Sequence, residues 1–452
     1  MFTIAAEGKD KPKHYLKIML YNSPLQKLTL SILCLSTALT VTAQEVNYGR
    51  SIVRKLASPE FKGRGYVEDG AKKASVFIAA EFAKDGLTPL NSGSYFQDYH
   101  LSVNTFPGKV IVQLDQATLK TAVDYLVSAS SPSVKGTFKV ISISRAQLIS
   151  AGSAATLAES AKGSFILLDN RPEKEETPEE SSEIKKNIQR LEYDEQLDFK
   201  GLIIYTTEKL TWTTYTYQSV RPVITVNKKD LDPKSIRQIN VQIDASLVAD
   251  YQPRNVGGMV KGTAVPDSMI VITAHYDHLG MMGRKVYFPG ANDNASGTAL
   301  MMTMARYYGS HPGKYTMVFI AFSGEEIGML GSEAFVEHPL IDLKKIRFLT
   351  NFDMAGTGEE GIRVVNGTIY RNRFDQLVQL NDRYKLLPKV DIRAESCNSD
   401  HCRFYQRGVP SFFIYTQGGI RAYHDVYDRA ETLPLTVFDN YFKLMQKFFD
   451  QL

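Results

Sequence analysis

The chain has 452 residues, 43% hydrophobic and 23% charged, with 53 Lys and Arg against 49 Asp and Glu. That composition supports a sizeable core and excludes disordered and collagen-like classes. The net charge of +4 is small, and no basic run is interleaved with aromatics, so no nucleic-acid partner is expected.

Lys27 precedes a largely apolar run from Leu28 to Leu39, and Val41-Thr42-Ala43-Gln44 follows it. A basic residue, an apolar run short for a bilayer and small residues at the cleavage position are the three parts of a secretory signal. Cleavage is expected after Ala43, making 1–43 an N-terminal extension and signal peptide and predicting a secreted or periplasmic chain. Met19 is a second candidate start beside Met1, and Leu33 ahead of Cys34 departs from a lipoprotein signal. No stable membrane insertion is expected after cleavage. Cys397 and Cys402 then remain, free to pair as a local disulfide or to stay as thiols.

Residues 44–107 are expected to form the N-terminal part of the main domain; from about Val46 to Tyr99 they read as helix, loop and helix, with Ala74, Phe77, Ile78 and Phe82 at helical spacing over Ala71 to Lys84 and Gly86 ending the helix. Over 108–250 the pattern changes to short β-rich runs, at Val110 to Val112, Phe138 to Ile143, Phe165 to Leu168 and Leu202 to Tyr205. These predict a smaller, β-rich α/β domain inserted in the chain. Its charged tract from Glu173 to Lys186 predicts a solvated loop or an exposed helix.

The segment 251–452 alternates strand and helix: strands at Met269 to Thr273, Met317 to Ala321 and Ile346 to Phe352, helices at Ser296 to Tyr308 and Gly328 to Glu337. Continuous apolar strands between helices predict an α/β fold with a mixed, mostly parallel sheet sandwiched by helices. Phe412, Phe413 and Tyr415 lie on a further strand-like run, expected in the core rather than in a specificity pocket.

Polar residues then fall where an open α/β sheet places its ligand crevice, directly after the apolar strands. The first strand ends in His275-Tyr276-Asp277-His278, the second in Ser323-Gly324-Glu325-Glu326 and the third in Asn351-Phe352-Asp353. A loop carries Asp293 within Gly290 to Gly297, and Tyr423-His424-Asp425 comes near the C-terminus. Imidazoles and carboxylates converging on one sheet edge suit zinc better than copper or calcium. His278, His311 and His338 are expected to be structural, and Asp400 and His401 to support the site from behind.

These segments, with Ser399-Asp400-His401, resemble the co-catalytic zinc aminopeptidases of peptidase family M28, in the family's order, and 108–250 is similar in outline to the protease-associated domain that some members insert. The resemblance implies two zinc ions, with Asp293 bridging them, His275 and Asp353 completing one site and Glu326 and His424 the other. It implies Glu325 as general base, Asp277 as the group that orients His275, and Tyr423 as an oxyanion donor or simply a packed aromatic. The implied activity is removal of N-terminal residues from peptides. The alternatives are a carboxypeptidase acting on acidic C-terminal residues, with Arg284, Arg393, Arg403 and Arg421 as sources of positive charge, a one-zinc glutaminyl cyclase, and a non-catalytic binding protein of the same fold.

Overall fold

The computed structural model describes residues 45–172 and 175–452; the expected signal peptide lies outside the described residues. Among them the larger sheet has nine strands. Its middle is parallel, in the order Tyr315–Phe322, Val265–His275, Ile346–Phe352 and Ser411–Gln417. Antiparallel Arg254–Val260 and Gly361–Val365 flank this group.

The apolar runs are continuous because both faces of the sheet are buried. Ile270, Ile272 and Ala274 join Met317, Phe319 and Ala321 in one core. Their neighbours Met269 and Val271 join Val318, Ile320 and Phe322 in another. The helix Gly70–Lys84 covers the first face through Ala74, Ile78 and Phe82, as its spacing predicts, together with Gly297–Ser310 and Phe438–Phe449. Leu330–Glu337 covers the other through Phe335 and Val336. Each fully buried large apolar side chain contributes about 1.5–3 kcal/mol.

Two helix starts differ from the sequence reading. Gly328 and Met329 have φ of 110° and 61°, so the chain turns before the helix opens at Leu330. Residues Ala291–Ser296 form a wide turn, with Asp293 at non-helical φ −106° and ψ 102°, and the regular helix starts at Gly297.

An eight-stranded sheet is built wholly from strands between Val110 and Ile243, in the order 117–118, 110–114, 238–243, 134–144, 165–169, 201–205, 223–226 and 125–127. The charged tract resolves from Pro178 into an amphipathic helix, Pro178–Tyr193, opened by a capping box between Thr177 and Glu180. Ile184 and Leu191 pin it to Ile166, Leu168 and Leu202 on one face of the sheet. The opposite face merges with Phe106, Leu279, Met282, Phe288 and Val426. Leu279, Met282 and Phe288 lie in the connection after Val265–His275 and Val426 in the one after Ser411–Gln417, so the inserted strands pack on the connections that leave the larger sheet. Among the described residues no helix is long and apolar enough to cross a membrane.

Candidate metal centre

The crevice opens where four parallel strands end. His275 is the last residue of Val265–His275, Glu325 and Glu326 follow Tyr315–Phe322, Asp353 follows Ile346–Phe352, and His424 lies in the loop after Ser411–Gln417. The turn Ala291–Ser296 brings Asp293 in from the side.

Asp293 faces two imidazoles at once. Its Oδ1 lies 3.5 Å from His275 Nε2, and its Oδ2 lies 3.1 Å from His424 Nε2. Asp353 Oδ1 is 3.4 Å from His275 Nε2, and Glu326 Oε2 is 3.0 Å from His424 Nε2. Zinc holds nitrogen and oxygen donors at about 2.0–2.1 Å in a tetrahedron, whose edge is then roughly 3.3 Å. All four separations match that edge. His275 Nε2 and Asp353 Oδ1 are also buried without a hydrogen-bond partner, as atoms aimed at a cation would be. Glu325 Oε2 stands further off, 3.9 Å from His275 Nε2.

Charge sharpens this division. Burial raises the Glu325 carboxyl well above the ordinary range, and Asp353, Asp400 and Glu326 add to it against His275. Burial acts in the same direction on Glu326, but His424 and His278 outweigh it and hold that carboxyl well below its ordinary value. Two adjacent carboxyls thus acquire opposite proton affinities. Burial would lower both imidazoles; Glu325 and Asp353 instead raise His275 well above its ordinary value, and Glu326 and Asp293 raise His424 to about 11. The protein groups alone therefore demand positive charge at the points where zinc fits.

Further residues fix the donors. Arg64 is fully buried and donates to the carbonyls of Tyr276 (2.7 Å), Pro289 (2.6 Å), Gly290 (2.7 Å) and Asp293 (3.3 Å), tying together the loops of His275 and Asp293. Burial lowers its pKa to about 10, while Asp428, Asp293 and Asp277 oppose the fall, so the guanidinium stays charged at neutral pH. Asp428 accepts the main-chain N–H groups of Asn292 and Asp293 at 2.8 and 2.9 Å. Ser399 donates to Asp353 Oδ2 at 3.1 Å, consistent with support from the 399–401 segment.

Asp277 is buried beside His275, but its carboxylate stands 3.7 Å from Nδ1 while its main-chain carbonyl is nearer, at 3.3 Å. The ring nitrogen thus faces the carbonyl more closely than the carboxylate, which still helps to raise the imidazole, and Asp277 Oδ1 accepts the Glu325 N–H at 3.3 Å. Tyr423 is stacked on His424, ring centroids 4.0 Å apart, and is 44% exposed. Burial and the carboxylates of Asp293 and Glu326 push its phenol up, so it keeps its proton. Cys397 and Cys402 are joined by a disulfide.

Comparison with protein families matches residues 255–449 to Peptidase family M28. The chain carries an M28 peptidase domain. The M28 match contains every residue of the donor set, His275, Asp293, Glu326, Asp353 and His424, and also Glu325. Aminopeptidase YwaD of Bacillus subtilis is 35% identical over 200 residues, which are 42% of this chain and 41% of that protein. A probable leucine aminopeptidase of Arthroderma otae is 31% identical over 202 residues, 40% of this chain and 53% of the other. The chain thus spans about half or less of the length of these curated relatives. In three dimensions a zinc aminopeptidase from Bacillus subtilis aligns with TM-score 0.66 and 20% identity over 90% of this chain and 94% of that one. A Peptidase M28 precursor from Shewanella amazonensis aligns with TM-score 0.65 and 15% identity over 90% and 95%. At these identities the likeness is one of fold, and it extends over the inserted strands as well as the M28 domain.

His311 and His338 lie outside the donor set, His311 stacked on Tyr307 and the His338 carbonyl accepting from Gln97. Phe412 and Phe413 are buried in the core. His278 does more than the sequence suggests: its Nδ1 lies 2.6 Å from Glu326 Oε1. Its position three residues after His275 was the available signal. No sequence pattern points to Asp428, and Arg64 is marked only by the glycines on each side, Gly63 and Gly65, where a Cβ would strike the Gly280 backbone at 2.5 and 2.4 Å.

Proposed function

We propose that this chain is an exported two-zinc aminopeptidase. The observation that carries the reading is the single carboxylate of Asp293 set between His275 and His424, 3.5 and 3.1 Å from their Nε2 atoms. His275, Asp293 and Asp353 would hold one zinc, and Asp293, Glu326 and His424 would hold the second. Bound zinc supplies Lewis acidity at the substrate carbonyl and at the attacking water.

The protein supplies the rest. Glu325, lifted in pKa and not needed as a ligand, removes a proton from the attacking water and delivers it to the leaving amine as the peptide C–N bond breaks. The Asp277 carbonyl accepts a hydrogen bond from His275 Nδ1–H, which leaves the Nε2 lone pair facing the metal position. Tyr423, protonated and half exposed at the rim, donates to the carbonyl oxygen as negative charge develops there. The strands from Val110 to Ile243 act as a protease-associated-like insertion over the crevice.

Aminopeptidase rather than carboxypeptidase action is supported by the names of the relatives and by the fate of two candidate arginines. Arg393 bonds Tyr415, and Arg403 bonds the Gly328 carbonyl and pairs with Glu333. The test compares a free-amine peptide with its N-acetylated form on enzyme containing two zinc ions per chain. Rapid cleavage of the free-amine peptide alone is expected, and equal cleavage of both overturns the end preference.

A further inference from the structure

The loop that carries His424 has no regular structure, yet His424 sits at φ 52°, a left-handed conformation uncommon for such a side chain. What holds it comes from the inserted region. Trp212 N–H donates to the His424 carbonyl at 2.9 Å, and His424 Nδ1 donates back to the Trp212 carbonyl at 2.8 Å. The second bond fixes the tautomer, leaving His424 Nε2 to face Asp293 and Glu326. Three residues earlier, Lys209 Nζ donates to the carbonyls of Arg421 (2.8 Å) and Tyr423 (3.0 Å) and pairs with Asp425 at 2.7 Å. Two residues later, Thr214 Oγ1 donates to the Glu326 carbonyl at 2.8 Å. Trp212 itself is buried, stacked on Phe288 with centroids 4.7 Å apart, and its Nε1 donates to Val127, so the segment is anchored to the inserted sheet.

We propose that residues 209–214 are a positioning strap through which the inserted region sets the geometry, and hence the zinc retention, of the His424–Glu326 half of the centre. The strap contacts the two ligands of that half, and the His275–Asp353 half is held by its own strands. Lys209 and Thr214 are positioning residues: neither side chain donates to a ligand's coordinating atom. The proposal rests on the zinc reading above and assigns the strap's role within it.

The test follows zinc transfer from the fully loaded, full-length protein to a colorimetric chelator for wild type, Lys209→Met, Lys209→Arg and Thr214→Val. One of the two zinc ions is expected to leave Lys209→Met about tenfold faster than wild type, with the other unchanged, as orienting partners of ligands affect affinity. Thr214→Val should speed loss of the same ion, and Lys209→Arg, which keeps charge and donors, should restore most of the retention. Release within twofold of wild type from both Lys209→Met and Thr214→Val, at unchanged melting temperature, overturns the proposal. Equal acceleration of both ions also overturns it, because the strap would then act on general stability. Should Lys209→Met fail to fold, the Thr214→Val comparison decides. A wild type that retains zinc and leaves peptides intact removes the aminopeptidase reading, while selective zinc loss from the variants still sustains the strap.

Discussion

His275 and His424 end in the same cluster by opposite routes. His275 closes a strand paired in parallel on both sides, and the strand's own burial sets its direction and depth. His424 rides an irregular loop, and its orientation depends on hydrogen bonds from a segment more than two hundred residues earlier in the chain. The first ligand is placed by secondary structure and the second by tertiary contacts. Disturbances of residues 209–214 should therefore reach the second before the first.

The largest expected effect breaks the centre as a whole. Glu325→Gln keeps shape and burial but removes the proposed base, so kcat should fall by about 10²–10⁴-fold with zinc content unchanged. Measured kcat within threefold of wild type would remove Glu325 from the mechanism. Asp293→Ala should strip both halves, bringing zinc per chain close to zero; retention of one full ion would show that Asp293 does not bridge.

Arg64→Met comes next and tests the scaffold that both halves share. It removes a buried guanidinium that binds five carbonyls and faces the site's carboxylates, a change that costs about 3–5 kcal/mol. The melting temperature should drop by several degrees, with both zinc ions weakened together. Loss from one half alone would place Arg64 on that side of the comparison.

His278→Ala is expected to act on the Glu326 side alone. It deletes the 2.6 Å contact to Glu326 and should weaken one zinc by about 10–100-fold, leaving the His275 side intact. Titration of metal content against a chelator separates the two.

The smallest effect lies in the inserted region, at a carboxyl that lines a cavity with Lys209 and Trp212. Burial raises the Glu192 carboxyl to about 7 from an ordinary 4.5. A raised carboxyl pKa in the folded state means that its contribution to stability is complete below about pH 4.5 and is lost as pH climbs through about 7. Glu192→Gln should flatten the melting temperature across that window by a few degrees. An unchanged profile would show that Glu192 is not the titrating group.

The sequence alone determined the parallel middle of the larger sheet and pointed to most of the candidate donors. Strands such as Ile346–Phe352 are continuous apolar runs, buried on both faces, and a carboxylate or imidazole directly after such a run marks the sheet's functional edge. The Asp293 and His424 assignments needed the family resemblance as well, because turns and irregular loops have no periodicity to read. Only the tertiary structure decided that Arg64 ties two loops together, that His278 braces Glu326 and that the carbonyl of Asp277 faces His275 more closely than its carboxylate does. It alone decided that Trp212 and Lys209 hold His424. Each of these contacts joins a side chain to main-chain atoms or to a residue remote in the chain, and such pairings depend on how elements pack rather than on any local propensity. The sequence carried the chemistry of each half of the centre, and packing determined what holds each half in place.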